Sequence, residues 1–110
     1  MDRELKRGTL EMVLLQLLSE RDMYGYELTS ALVERSGGHF EVKDGTLYPV
    51  LYRLEKAGHV EPYWETQVRG VPRKYYRATA EGREELGRLR VEWEAFASVV
   101  SRLINPGASQ

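Results

Sequence analysis

The chain has 110 residues, of which 42% are hydrophobic and 30% charged, so the composition predicts one globular domain with a single modest core. It has no cysteine, which excludes disulfides and thiolate chemistry and suits a reducing compartment. No apolar run approaches the ~20 residues of a membrane-spanning helix, and the N-terminal residues lack the apolar segment of a signal peptide. We therefore expect a cytoplasmic protein with no membrane partner.

The net charge of −1 does not by itself indicate a nucleic-acid-binding protein, but the charges are unevenly distributed. Residues 69–77 contain Arg69, Arg73, Lys74 and Arg77 without any acidic residue. The segment that follows mixes acids with bases. A locally basic segment on a protein of balanced charge is what a focused contact with phosphate groups requires.

The first two predicted helices span residues 9–20 and 24–35. The first helix is apolar around much of its circumference, because Met12 and Leu15 lie on a different side from its main core face, so burial on two sides is expected. In so small a domain, a partner subunit would provide the second burial. The residues before this helix form a basic arm, and a glycine stop at Gly37 ends the second helix.

The third predicted helix lies within residues 44–58. Four apolar residues recur at helical spacing and must pack against the core: Leu47, Val50, Leu51 and Leu54. The other faces carry hydroxyls, aromatic rings and cations: Thr46, Tyr48, Pro49, Tyr52, Arg53 and Lys56. Because proline fits best in the first turn of a helix, the N-cap is expected at Gly45 or Thr46 rather than at Asp44, and Gly58 closes the helix.

Two strand-like runs, residues 60–66 and 72–78, flank a turn that Gly70 permits, so a β-hairpin with a basic tip and a basic return strand is expected. Thr79 then caps a last helix that lasts until Asn105, and residues 105–110 are predicted to be a disordered tail. Apolar residues three and four apart give this helix a heptad seam typical of dimerisation: Leu86, Leu89, Trp93, Phe96, Val100 and Leu103.

Helix, helix, helix, hairpin and long helix is the order of a winged helix-turn-helix, residues 1–80, followed by a dimerisation helix, residues 81–104. The predicted fold class is therefore mainly α with a small β-hairpin. Three groups of residues carry a family resemblance: Tyr24-Gly25-Tyr26-Glu27-Leu28; Gly45-Thr46-Leu47-Tyr48-Pro49 with Leu51, Arg53, Leu54, Glu55 and Gly58; and Arg73-Lys74-Tyr75-Tyr76 with Thr79 and Gly82. In this combination, over about residues 8–104, the chain resembles the PadR family of bacterial transcriptional regulators, in its short form with a single C-terminal helix. The resemblance implies a homodimeric, ligand-responsive repressor.

Double-stranded operator DNA is the partner that this resemblance implies, and the third helix is expected to place its N-terminal end in the major groove. The candidate contacts on and before this helix are Lys43, Thr46, Tyr48, Pro49 and Arg53. The alternative is that the helix serves only the core, and Tyr48 fits both interpretations because a tyrosine can bury its ring and still offer its hydroxyl.

Four further residues are candidate DNA contacts outside the third helix. Tyr24 starts the second helix, where an anion is favoured, although it is equally well explained as a half-buried packing residue. Arg69, Arg73 and Lys74 in the hairpin are expected at phosphates or in the minor groove. Their alternative role is a charged strand edge that discourages pairing with other sheets.

Trp93 is the candidate for a second site. Two copies of this ring around a two-fold axis would sandwich a planar aromatic effector, with Phe96, Met12 and Leu15 as walls. The resemblance makes such a pocket between subunits available, and plain packing in the dimer core is the alternative.

Catalysis has almost no support in the sequence. His39 and His59 are far apart and without cysteines, so neither a metal site nor another cofactor is expected. Glu27 and Glu55 lack a nucleophilic or basic partner, and no glycine-rich phosphate loop is present. The rival to a DNA-binding regulator is a winged-helix module that binds another protein and no nucleic acid, and the cations of the third helix and the hairpin argue against it.

Overall fold

The computed structural model describes residues 3–66 and 70–107. The elements follow in the order α1 (Arg3–Glu20), β1 (Met23–Tyr24), α2 (Gly25–Arg35), α3 (Asp44–Lys56), β2 (Val60–Thr66), β3 (Pro72–Ala78) and α4 (Ala80–Ile104). The predicted fold class, mainly α with a small hairpin, is confirmed, and both hairpin strands have the predicted bounds. None of the helices in these two ranges is long and apolar enough to cross a membrane.

The core lies where α1, α2 and α3 meet the inner face of the sheet. Its completely or almost completely buried large side chains are Leu10, Leu14, Leu15, Leu18, Leu28, Leu47, Leu51 and Val60. The predicted stripe of α3 is buried as expected. Leu15 corrects the sequence analysis, because this residue of α1 is 0% exposed within a single chain and needs no partner subunit to cover it.

α1 begins earlier than predicted. Its first residue is Arg3, so the segment expected to be a basic arm before residue 9 continues the helix instead. The residues of this segment are mostly good helix formers, and Gly8 alone does not stop a helix that is anchored by the packing of its later turns.

β1 is a strand that the sequence analysis missed. Met23 pairs with Tyr76 and Tyr24 pairs with Tyr75, so the sheet has three antiparallel strands in the order β1-β3-β2. Two residues are too short for an alternating pattern to be visible in the sequence. Tyr24 is consequently the N-cap of α2 rather than its first residue, and its backbone N–H donates to Glu27 Oε1 at 3.2 Å.

The start of α3 also differs from the prediction. The helix begins at Asp44 with Lys43 as N-cap, and Pro49 lies inside it. Pro49 deprives only the Gly45 carbonyl of its helical partner, and both residues are exposed, so water can satisfy that carbonyl. The end agrees with the prediction: Gly58 has a φ of +81°, and the N–H of His59 donates to the carbonyl of Leu54 at 2.8 Å.

The start of α4 is fixed against the turn between α3 and β2. Thr79 caps it as predicted, because its Oγ1 accepts from the N–H of Gly82 at 3.0 Å and donates to the carbonyl of Gly58 at 2.6 Å. Gly82 lies so close to His59 that a Cβ would overlap its carbonyl oxygen. Residues 105–107 form a turn after the helix, and the rest of the predicted tail lies outside the described residues.

Candidate nucleic-acid interface

The front of α3 faces solvent. Directly opposite its buried stripe lie Gly45, Pro49, Tyr52 and Lys56, four exposed residues that helical spacing places on one line. The Tyr52 side chain is 58% exposed, and Lys56 Nζ lies 5.7 Å from the centre of its ring. Neither residue was among the predicted contacts, although the spacing of positions 45, 49, 52 and 56 marks them in the sequence. They give the helix front an aromatic ring and a cation.

Arg53 lies at the edge of this front, toward α1. Its Nε and Nη2 atoms each lie 3.3 Å from Glu11 Oε2, so the guanidinium is paired with an acid of another helix. Lys43, Thr46 and Pro49 are exposed at the N-terminal half of α3, as direct contacts with a partner require. An acid of α1 therefore already partly neutralises the charge of Arg53.

Tyr48 lies at the other edge of the front and packs against α2. A Cβ on Gly25 would overlap its hydroxyl, so this glycine creates the space in which the ring of Tyr48 rests. The side chain stays 44% exposed. Burial is the main cause that raises the pKa of the Tyr76 hydroxyl on β3, and electrostatic interactions with Tyr48 and Glu55 of α3 raise it further.

The strand register distributes the hairpin cations over two faces. Alternate residues of a strand point to opposite sides. Because Tyr76 and Ala78 are buried, Lys74 shares their side, which we call the core face. Arg73 and Arg77 point the other way, to the outer face. The four predicted cations therefore do not form one patch, and Arg69 lies outside the described residues.

The outer face carries a row of aromatic rings with a cation at each end. The rings of Tyr24 and Tyr75 meet edge to face at 5.3 Å, and those of Tyr75 and Tyr63 stack at 5.7 Å. The Arg73 guanidinium lies 4.6 Å above the Tyr24 ring, and its Nη1 donates to the Tyr24 hydroxyl at 2.6 Å. Arg77 covers Tyr63 at 4.9 Å. Tyr24 therefore holds Arg73 beside the start of α2.

A hydrogen bond at the far end of this row fixes Tyr63. Its hydroxyl donates to Asp22 Oδ2 at 2.6 Å, across from β2 to the loop before β1. This bond, which favours the protonated hydroxyl, raises the pKa of Tyr63 to about 12. The hydroxyl therefore stays protonated at neutral pH, and the bond ties the hairpin to the entrance of α2.

The second predicted site is assembled in part. A cavity of about 380 Å³ lies between α1, α2 and α4, and its walls include Met12, Leu17, Leu32, Phe40 and Trp93. Met12 and Trp93 also border a shallower depression together with Phe96, whose ring centre is 6.5 Å from that of Trp93. Leu15 does not join them, because the core of the same chain encloses it.

The predicted dimerisation seam is partly buried within its own chain and partly exposed. Leu86 is buried in the core of its own chain, and Leu89 packs against that core, so these two serve the single chain first. Later side chains of the seam lie open to solvent: Trp93 is 42%, Phe96 53% and Leu103 74% exposed. The helix thus changes from a core helix to an exposed apolar face between Leu89 and Trp93.

Comparison with known proteins agrees with this architecture. The pattern of the Transcriptional regulator PadR-like family matches residues 14–88. The chain belongs to the PadR family. A transcriptional regulator of Mycobacterium tuberculosis is 36% identical over 98 residues, which cover 89% of this chain and 88% of that protein. An uncharacterised protein of Lysinibacillus sphaericus is 37% identical over 97 residues, covering 88% of this chain and 89% of that one.

Solved structures of PadR-like proteins match over nearly the whole chain. A transcriptional regulator from Clostridium thermocellum superposes with a TM-score of 0.85 at 31% identity and covers 93% of this chain and 96% of its own. A PadR family regulator from Eggerthella lenta gives a TM-score of 0.80 at 37% identity, covering 92% and 86%. The predictions of a PadR-like winged helix and of a regulator rather than an enzyme are confirmed. This PadR-family protein is a transcriptional regulator, and DNA is its implied partner.

Proposed function

We propose that the protein is a homodimeric repressor, acting in the cytoplasm, that binds operator DNA through α3 and the hairpin and releases it when a small planar aromatic effector binds. The observation that carries this proposal is that the hairpin packs against α3 while the front of that helix stays exposed, with cations on both elements. Residues 1–80 form the DNA-binding unit in this account, and residues 81–104 form the dimerisation helix.

The recognition surface would combine two kinds of contact. The N-terminal half of α3 enters the major groove with Lys43, Thr46 and Pro49, and Tyr52 and Lys56 extend the same front toward the sugar-phosphate backbone. The other proposed contacts are at the edges of that front, at the start of α2 and on the hairpin: Tyr48, Arg53, Tyr24, Arg73 and Lys74. Arg73 and Lys74 project from opposite faces of one strand, so the hairpin can contact phosphates on two sides.

Homodimerisation is supported by the exposed end of α4. Trp93, Phe96, Val100 and Leu103 recur at heptad spacing along a helix that leaves most of this seam open to water. A second copy of the same seam is the partner whose pattern fits it. With 25 residues, α4 is ~37 Å long, which is comparable to the ~34 Å between successive major grooves on one side of B-DNA.

The effector part of the proposal depends on Met12, Trp93 and Phe96. The cavity beside them is predominantly apolar and lies against α4, so its occupant would alter how two copies of α4 pack. A change in that packing changes the distance between the two copies of α3. Small planar aromatic compounds should therefore quench Trp93 emission and weaken operator binding. If they do neither, Trp93 serves the dimer core only.

A titration on promoter DNA tests the proposal. Fluorescence anisotropy with the duplex upstream of the protein's own gene, and with random duplex of the same length, would be recorded at several salt concentrations. We expect tight binding to the promoter duplex that falls steeply with salt, and a flatter dependence for the Arg53→Ala, Arg73→Ala double variant. Absence of binding to both duplexes would contradict the proposal and favour a module that binds another protein.

A further inference from the structure

Trp64 is a large apolar side chain that the fold leaves in water. It lies in β2 directly opposite Lys74 of β3, and it is 67% exposed. Among the residues that the structure describes, Trp64 belongs neither to the hydrophobic core nor to the row of stacked rings on the outer face. An exposed tryptophan beside a cation marks a surface for binding rather than for folding.

The strand register determines which way Trp64 points. Val60 pairs with Ala78 and Pro62 with Tyr76, and these residues lie on the core face. Trp64 is two residues further along β2, so it lies on the same face, beyond the point where the core ends. β2 packs against α3, and its buried residue Val60 belongs to the same core as the apolar stripe of that helix. Trp64 therefore continues the side of the hairpin that faces α3.

The charges near this face favour a nucleic acid over an apolar protein partner. Lys74 is directly opposite Trp64, and Lys56 lies on the exposed front of α3. Glu65, the next residue of β2, points to the outer face, where it is paired in register with Arg73. The indole with Lys74 opposite it is complementary to a sugar-phosphate backbone with exposed sugar and base edges, and the front of α3 adds the Tyr52 ring and Lys56 on a separate element.

We propose that Trp64 is a DNA-contacting residue, whose indole lies against the sugar edges of the minor groove next to the major groove that α3 occupies. This inference rests on the proposed DNA-binding function, and it adds an apolar contact to the charged contacts that the hairpin would make with DNA. The indole would contribute apolar contact that depends on the width of the groove, and Lys74 would neutralise a neighbouring phosphate. Sequence selectivity would thereby extend to positions that α3 does not touch.

The experiment compares wild type, Trp64→Phe, Trp64→Ala and Lys74→Ala on the same promoter duplex. The chain has two tryptophans, so the Trp64→Phe protein reports Trp93 alone, and subtraction from wild type gives the emission of Trp64. We expect duplex to shift that emission and to protect it from acrylamide. Trp64→Ala should weaken binding roughly tenfold without changing the salt slope, because the indole carries no charge. Lys74→Ala should flatten the slope by about one phosphate equivalent.

Val91→Ala, which shortens another exposed apolar side chain on α4, is the matched control and should bind as wild type does. Thermal unfolding verifies that the Trp64 variants fold. The inference would be overturned if duplex left the Trp64 emission unchanged, if Trp64→Ala bound as tightly as wild type, or if its loss of affinity came with a flattened salt slope. In each of these cases, salt-dependent binding by wild type would still support the proposed function. If wild type binds no DNA at any salt concentration, both proposals fall.

Discussion

The guanidinium of Arg53 and the carboxylate of Glu11 join α3 to α1, with two contacts of 3.3 Å to the same oxygen. Glu11 is the neighbour in sequence of Met12, which borders both the cavity and the adjacent depression. A side chain on the proposed recognition helix is thus bonded to the helix turn that would contact an effector. The pair is partly exposed, so its strength is modest and a phosphate can compete for Arg53.

Removing the acid should strengthen DNA binding. In Glu11→Gln, Arg53 loses its charged partner and becomes available to a phosphate, so we expect affinity for promoter DNA to rise by roughly two- to fivefold, the equivalent of a surface ion pair. The salt dependence should become steeper. Anisotropy titrations at several salt concentrations measure both quantities.

Glu34→Gln is the control, because it removes the same charge from an exposed position near the C-terminal end of α2. If both variants gain the same affinity, the effect reports net charge and Arg53 is not involved. Glu11→Gln combined with Arg53→Ala should lose the gain of the single change.

The contact between Tyr24 and Arg73 predicts two losses of different size. Arg73→Ala removes the cation and should weaken DNA binding and flatten the salt slope by about one phosphate equivalent. Tyr24→Phe keeps the ring under the guanidinium and removes only the hydroxyl that accepts from it at 2.6 Å, so a smaller loss with a nearly unchanged slope is expected. Equal losses, or a larger loss for Tyr24→Phe, would mean that the Tyr24 hydroxyl itself contacts the phosphate.

Much of the fold could be predicted because its signals are local. The apolar stripe of α3, the Thr79 cap and the hairpin strands each follow from a few neighbouring residues. The start of α3 could not be predicted, because the energetic cost of Pro49 inside a helix depends on whether the Gly45 carbonyl can hydrogen-bond to water. β1 could not be predicted either, since two residues form a strand only when they pair with β3.

The candidate site was predicted as a set of residues and not as an arrangement. Composition located the cations of the hairpin, but only the register shows that Arg73 and Lys74 point to opposite faces. The helical pattern indicated that α1 is apolar on two sides, yet it did not distinguish Leu15, enclosed by its own chain, from Met12, which borders the cavity. Such distinctions depend on which elements pack together, and the order of the elements along the chain does not determine their packing.

Two glycines of α4 predict opposite effects on stability. Gly82→Ala places a methyl group against the backbone carbonyl of His59, which cannot move without disturbing the hairpin, so a loss of roughly 2–4 kcal/mol is expected. Gly87→Ala has open space around it and should stabilise the helix by about 0.5–1 kcal/mol. Chemical denaturation measures both. A neutral Gly82→Ala variant would contradict the close approach between α4 and the His59 backbone.

The exposed seam of α4 predicts a dimer that one charge can disrupt. Phe96→Glu places a carboxylate in the proposed interface and should convert the protein from about twice the 12.7 kDa chain mass to the single chain. Val91→Glu adds the same charge on the opposite side of α4 and should remain dimeric. Sedimentation equilibrium distinguishes them. A wild type that sediments as a single chain would rule out the dimer.

The shared role of α3 and the hairpin in DNA binding is tested most directly by two charge-matched double variants. Lys56→Ala with Lys74→Ala removes one cation from each element of the surface, whereas Arg88→Ala with Arg102→Ala removes two cations from α4. Their salt slopes on promoter DNA would be compared with wild type. We expect the first pair to flatten the slope by roughly 1.8, at about 0.9 for each phosphate that the protein no longer neutralises, and the second to leave it unchanged. Equal slopes for the two variants would contradict the account, because the protein would then be responding to net charge and not to this surface.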